Sequence, residues 1–269
     1  MSTKIEWADE VWNVVTGCTK VSAGCKNCYA ERMAKRLGGR FGYPPAPDQF
    51  KVTLHPEQLK LPLRWKKPRR VFVNSMSDLF HEDVPDDFID NVFVYMKMAH
   101  AHTFLILTKR PERMLKWFTR WTVGGWDTPG IIKHNAETIF GENSTSSSIT
   151  WPRSNIWLGV SVEDQKTANE RLPILAQIPA AKRFVSCEPL LGPIDFISDS
   201  YARFDWVIVG GESGPGARPM DLEWAESIVT QCEVVGIPVF MKQLGGYPDK
   251  RNRMEEGPEE LRVREWPEG

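Results

Sequence analysis

Three thiols stand close together near the start of the chain: Cys18, Cys25 and Cys28 in TGCTKVSAGCKNCYAER, out of five cysteines in 269 residues. Clustered cysteines of this kind bind metal or do redox chemistry. A structural zinc site closes with four ligands, typically as two separated pairs. This chain has one Cys-x-x-Cys, one cysteine seven positions earlier and no second pair, so zinc would have to recruit Cys187 or His81 from a neighbouring part of the fold. Three thiolates on a four-iron cluster instead leave one iron without a protein ligand, free to bind and reduce a small molecule. The residues alone leave both readings open.

The remaining composition describes the setting for such a site. An odd cysteine count in a reducing compartment disfavours structural disulfides. No apolar segment follows a basic start and no run of 18 apolar residues occurs, so the sequence reads as cytoplasmic, with no signal peptide and no membrane span. Lys and Arg number 34 against 35 Asp and Glu, a net charge of −1. Whole-protein charge therefore offers nothing to nucleic acid or an anionic membrane, and any such contact must be local. With 41% apolar residues the length fits one domain over residues 1–269.

The elements that must position the thiols are legible as short β-branched runs separated by helical periodicity, the mark of a parallel sheet. The spacing predicts strands at Val71–Asn74, Phe104–Leu107, Ile156–Val160, Arg183–Val185, Trp206–Val209 and Pro238–Met241, with a weaker one in WNVVT just before Cys18. Helices are predicted at Asp86–Ala99, Pro111–Arg120, Asp164–Leu175 and Leu222–Val235, several opened by Asp or Pro. Six or seven such units fit an α/β fold of the TIM-type (β/α) barrel kind, full or partial, with an open doubly wound sheet as the alternative. A loop insertion at about 119–154, carrying Trp121, Trp126 and Trp151 among Gly, Ser and Thr, interrupts the rhythm and reads as a lid, a binding element or plain disorder.

In such folds functional residues follow the carboxyl ends of the strands. Those segments read Asn74-Ser75-Met76-Ser77-Asp78, Thr108-Lys109-Arg110, Ser161-Val162-Glu163-Asp164, Ser186-Cys187-Glu188-Pro189, GGESG from Gly210, and Lys242-Gln243. Any one Ser, Asp or Glu there is explained by helix capping. Capping does not require Lys109, Arg110 or Lys242, whereas a ligand with carboxylate, amine and ribose groups needs both signs of charge.

Taken as a set, TGCTKVSAGCKNCYAERM, LPLRWKKPRRVFVNSMSDLFHEDVP, LTKRPERM, WLGVSVEDQ, RFVSCEPLLGPID and DWVIVGGESGPGARPM resemble a phage-associated three-cysteine family of radical-S-adenosylmethionine-like proteins. SMSD and LTKR are also similar, more weakly, to strand ends of the spore photoproduct lyase branch. Six residues separate Cys18 from Cys25, where the commonest pattern of that superfamily has three. The resemblance implies that Cys18, Cys25 and Cys28 hold a [4Fe–4S] cluster whose open iron chelates S-adenosyl-L-methionine, and that an external electron donor reduces it to generate a 5′-deoxyadenosyl radical. It further implies that Ser75, Ser77 and Asp78 face the ammonium, that Lys109 or Arg110 pairs with the carboxylate, and that Glu163 takes the ribose hydroxyls. Tyr29 would pack beside cluster or adenine, or simply fill core.

GGESGPG, Gly210–Gly216, is neither a phosphate-binding P-loop nor a dinucleotide fingerprint. Gly210 and Gly211 are expected to let backbone approach S-adenosylmethionine or substrate, with Glu212 directed into the mouth and Arg218 behind it. Cys187 is either a hydrogen-atom donor to a substrate radical or a small buried residue, and Cys232 is expected in the core. RWKKPRR, Arg64–Arg70, reads as a phosphate-contacting stretch or a solvated linker. The substrate expected is a nucleic acid or nucleotide, with a peptide or partner protein as the alternative. The competing class is a non-catalytic, zinc-stabilised module that binds nucleic acid or protein.

Overall fold

The computed structural model describes residues 5–120, 127–141, 151–197, 204–245 and 257–268. Trp121 and Trp126 lie outside the described residues. In chain order the main elements are β1 (Glu10–Trp12), β2 (Val15–Thr16), α1 (Tyr29–Leu37), β3 (Thr53–Leu54), β4 (Arg70–Val73), α2 (Asp86–Met98), β5 (Thr103–Thr108), α3 (Pro111–Thr119), α4 (Thr128–Phe140), β6 (Ile156–Ser161), α5 (Gln165–Leu175), β7 (Lys182–Cys187), β8 (Trp206–Gly210), α6 (Leu222–Val235) and β9 (Val239–Gln243).

Seven strands form one parallel sheet in the order β1-β4-β5-β6-β7-β8-β9. The sheet curls into a half-barrel whose edge strands, β1 and β9, do not pair with each other. The expected α/β class and parallel sheet are therefore present, in an open rather than closed form.

Side-chain alternation divides the sheet into two faces. Val71, Val73, Phe104, Ile106, Leu158, Val185, Val207 and Val209 point outward and form one core with the buried sides of α2, α3, α5 and α6. Phe72, Leu105, Trp157, Phe184, Trp206, Ile208 and Phe240 point inward, where Trp7 and Trp266 pack on them. Gly159 belongs to this inner face, and a Cβ there would stand 2.7 Å from the Phe184 ring, so the missing side chain is what admits that ring. These residues make an aromatic floor. Further along the same strands the inner positions become polar: Asn74, Lys109, Ser161, Glu163, Glu188 and Lys242.

The segment before the thiols differs from expectation. WNVVT is not one strand: β1 ends at Trp12, while β2 leaves the sheet and pairs antiparallel with β3. Asn74 is the cause. At φ 59 its backbone is left-handed, which asparagine tolerates better than most residues, and its Oδ1 accepts from Val14 N at 3.0 Å and Val15 N at 3.1 Å. Two helices also arise where none was expected. α1 buries Ala30 and Ala34 beneath a charged outer face, and α4 occupies the middle of the insertion, opened by Asp127 accepting from Gly130 N and packed on α2.

Candidate functional site

The loop after β2 crosses the carboxyl ends of the inner strands and brings Cys18, Cys25 and Cys28 to one cavity of about 220 Å³. Tyr29, Ser75, Ser77, Asp78, Lys109 and Arg110 line the same cavity, as do Asn74, Ser161 and Glu188. Sequence segments as much as 170 residues apart in the chain, Cys18 and Glu188, thus meet at the thiols, because successive parallel strands deliver their ends to one edge.

Asp78 organises the wall beside Cys18. Its carboxylate accepts from Thr108 Oγ1 at 2.7 Å, Lys109 N at 3.0 Å, Phe80 N at 3.0 Å and Arg110 Nη1 at 3.3 Å. Arg110 is buried and also donates to Thr19 Oγ1 at 2.9 Å, Thr19 O at 3.2 Å and Cys18 Sγ at 3.5 Å. Burial pushes the Cys18 thiol up to about 11, with Asp78 adding to the rise and Arg110 opposing it. Cys18 is therefore a protonated thiol at neutral pH, and a metal that binds it must displace a proton.

His81, the conceivable zinc recruit, is committed elsewhere. Nδ1 accepts from Asp83 N at 3.1 Å, so Nε2 carries the hydrogen and lies 2.8 Å from Thr19 Oγ1. Burial, then Arg110, lowers its pKa and keeps it neutral. Cys187 is equally removed: it belongs to the outward set with Val185, is fully buried against α6 and has its pKa raised by burial. Strand alternation turns Ser186 and Glu188 toward the mouth and Cys187 toward the helices, so of its two expected places the thiol takes the buried one and not the mouth. Cys232 lies in the same core.

Glu163 sits beneath the cysteine loop rather than in the cavity wall and is fully buried. Lys109 forms an ion pair with it, Arg171 Nη1 donates to Oε2 at 3.1 Å, and Ser22 Oγ donates to Oε1 at 2.8 Å. Burial would raise this carboxyl, but Lys109 and Arg171 bring it below its ordinary value. Lys109 also donates to Ser161 Oγ at 2.6 Å, so Glu163 fixes where the ammonium of Lys109 stands. Gly24 lets the loop lie this close: a Cβ there would be 2.5 Å from Glu163 Oε1.

Glu212 is likewise not a wall residue. Its carboxylate accepts from Arg218 Nη2 at 2.6 Å, Arg218 N at 2.8 Å and Asn27 Nδ2 at 2.8 Å. Burial raises it, and the bonds from Arg218 and Asn27 more than offset this, bringing it to about 2. The glycine-rich turn thereby anchors the cysteine loop, assisted by Arg32 donating to Ser213 O at 3.1 Å. Gly211 serves backbone approach of the chain itself, since a Cβ would meet Leu244 O at 2.6 Å. Gly210 faces the Glu188–Lys242 ion pair, and neither glycine lines the cavity.

Arg64–Arg70 leads into β4, whose first residue is Arg70, and so lies at the opposite, amino end of the sheet from the thiols. Arg69 pairs with Glu10, and Arg70 pairs with Asp9 at 3.2 Å and stacks on Trp266 at 4.6 Å.

A family model described as "Protein of unknown function (DUF5131)" matches residues 2–268. The chain belongs to that family. Comparison with curated proteins and with solved structures gives no match. The region shared with the DUF5131 family contains all three thiols and every charged residue around them.

Two observations test which group this DUF5131 protein could hold. Among the described residues, no three His, Cys, Asp or Glu side chains converge to hold one metal ion. A four-iron cluster asks less of its thiolates, which bind separate irons and stand farther apart than ligands of a single ion. The second observation was not legible in the sequence: Asn74 Nδ2 is buried at the cavity with no hydrogen-bond partner among the described residues. A buried amide donor without a partner is costly, and of the buried side-chain atoms in that state among the described residues Asn74 Nδ2 is the one whose residue lines this cavity.

Proposed function

We propose that this chain is a radical S-adenosylmethionine enzyme, with Cys18, Cys25 and Cys28 holding a [4Fe–4S] cluster and S-adenosyl-L-methionine occupying the cavity beside it. The observation that carries the reading is the meeting of three thiols, paired charges of both signs and an unpartnered buried amide in one cavity at the carboxyl ends of parallel strands. When bound and reduced by an external donor, the cluster supplies the electron that splits the sulfonium into methionine and a 5′-deoxyadenosyl radical.

The chain's own residues account for binding and orientation. Ser75 Oγ donates to Asn13 Oδ1 at 3.2 Å and Ser77 Oγ donates to Val15 O at 2.8 Å. Both hydroxyl protons are thus spent, and the oxygens present lone pairs suited to an ammonium. Lys109, held by Glu163 and Ser161, supplies a fixed positive charge for a carboxylate. Asn74 Nδ2 offers a further donor. Arg110 keeps Asp78 and the Cys18 wall in place, and Tyr29 covers the mouth.

Anaerobic reconstitution tests this directly. About four irons per chain, brown thiolate-to-iron absorption and 5′-deoxyadenosine on reduction are expected, and each of Cys18→Ala, Cys25→Ala and Cys28→Ala abolishes the product. A colourless protein that binds one zinc, refuses iron and unfolds on chelation overturns the reading in favour of a zinc-stabilised binding module.

A further inference from the structure

Charge is unevenly distributed along this chain. Residues 17–54, which run from the cysteine loop through α1 to β3, contain seven Lys and Arg against two acidic residues, Glu31 and Asp48, in a protein of 34 against 35. Glu31 is already taken up by Lys20 and Lys35, each at 2.9 Å. Lys26, Arg36, Arg40 and Lys51 are exposed, and no hydrogen bond or ion pair engages their side chains among the described residues. Arg32 bonds only carbonyl oxygens, at Ser213 and Pro215, so its charge also lacks a carboxylate. These unpaired cations therefore lie on the same segment that supplies Cys18, Cys25, Cys28, Tyr29 and Phe50 to the cavity wall, outside the wall itself.

Two rings accompany these charges. Tyr29, which lines the cavity, is 59% exposed, and Phe41 is 83% exposed. Phe41 has φ 52, in the left-handed region that phenylalanine seldom adopts. Gly42 follows at φ 82, where a Cβ would stand 2.8 Å from the ring of the buried His55, so the turn is pinned from beneath. A strained backbone that holds a large apolar ring in water gains nothing for folding and points to contact with something else. Tyr29, Arg32 and Arg36 recur at helical spacing on one face of α1, about 10 Å from first to last, and Arg40 and Phe41 extend this strip in sequence, in the turn that follows the helix, where Arg40 N donates to Leu37 O.

The geometry points to a single-stranded nucleic acid lying on this strip, its bases stacked on Tyr29 and Phe41 and its phosphates on Arg36, Arg40 and Lys26, so that one nucleotide is presented at the cavity. Alternating cations and exposed rings suit unpaired bases, whose faces are free to stack. In a duplex those faces are covered, and an acidic polypeptide would leave both rings unused. The inference rests on the radical-enzyme reading, for which it names the substrate class, and it moves the phosphate contacts away from Arg64–Arg70.

Binding of a fluorescein-labelled oligothymidine to the full-length, iron-reconstituted protein, followed by anisotropy across a salt series, tests it. Replacing both Arg36 and Arg40 with Gln lowers the salt slope by about 1.4, the loss of two phosphate contacts on a single strand. Phe41→Ala weakens binding about tenfold. Lys66→Gln together with Lys67→Gln, at the far end of the sheet, changes neither. These positions are exposed, and circular dichroism confirms that each variant folds. Affinity indifferent to the Arg36 and Arg40 substitutions, a duplex binding as tightly as the single strand, or oligoglutamate displacing the oligonucleotide overturns the proposal. The readout needs no turnover: a protein that binds the strand yet fails to cleave S-adenosylmethionine sinks the enzymatic reading alone, and the converse result sinks this one alone.

Discussion

Asn27 donates its side-chain amide to Glu212 Oε2 at 2.8 Å and thereby joins the turn between Cys25 and Cys28 to the glycine-rich turn after β8. The carboxyl of Glu212, brought to about 2 from an ordinary value near 4.5, is the centre of this joint. A carboxyl depressed on folding contributes stability above its unfolded value and loses it as pH falls toward the folded one. Urea unfolding of the iron-free protein should therefore show wild-type stability declining from about pH 4.5 toward pH 2. Glu212→Gln should begin lower, by no more than about 3 kcal/mol, and decline less steeply. Parallel acid limbs for the two proteins would mean that the joint does not titrate.

Gly24→Ala tests the fit between the cysteine loop and the carboxylate beneath it. The added Cβ would fall 2.5 Å from Glu163 Oε1, so one of the two must shift, and because Lys109, Arg171 and Ser22 hold the carboxylate the loop is expected to lift and spread the thiols. Iron per chain should drop severalfold while the far-ultraviolet spectrum stays native. Normal loading would show that the loop has slack.

Removing Glu163 should harm folding more than removing any cavity-wall residue. Glu163→Ala leaves Lys109 and buried Arg171 without their shared counter-charge, and breaking such a buried pair costs about 3–5 kcal/mol. Lys109→Met leaves Glu163 with Arg171 and should cost less in stability while weakening S-adenosylmethionine binding. Equal stability losses in the two variants would remove Glu163 from its supporting role.

Cys187→Ala should lower stability by about 1–2 kcal/mol, as expected for trimming a fully buried residue, and should leave iron content and product formation intact. Product lost or diverted while 5′-deoxyadenosine continues would place the thiol at the chemistry despite its outward direction.

How much of this could be read from sequence depended on what each pattern encodes. Strands β4 to β9 were legible because a parallel strand buried on both faces leaves a continuous apolar run bounded by polar residues. The same double burial hid direction: in β7, Val185, Ser186 and Cys187 are all buried, so composition does not say which side chain faces the mouth. α1 was obscured because five of its nine residues, Glu31, Arg32, Met33, Lys35 and Arg36, are long-chained and surround only two buried alanines. The roles of Glu163 and Glu212 as supports were hidden for another reason. Their partners Arg171, Ser22 and Asn27 lie outside the strand-end segments that drew notice.

The aromatic floor of the half-barrel has an optical consequence. Trp7, Trp157 and Trp206 lie there with ring centroids 6.3 Å apart in each Trp206 pair, and Trp157 precedes cavity-lining Ser161 by four positions on β6, about 13 Å along the strand. Indole emission overlaps the broad absorption of iron bound to thiolates, and over such a distance the excitation passes to the iron instead of being emitted. Loading the cavity should dim these tryptophans and stripping it should restore them, so the protein carries an unlabelled gauge of its own occupancy.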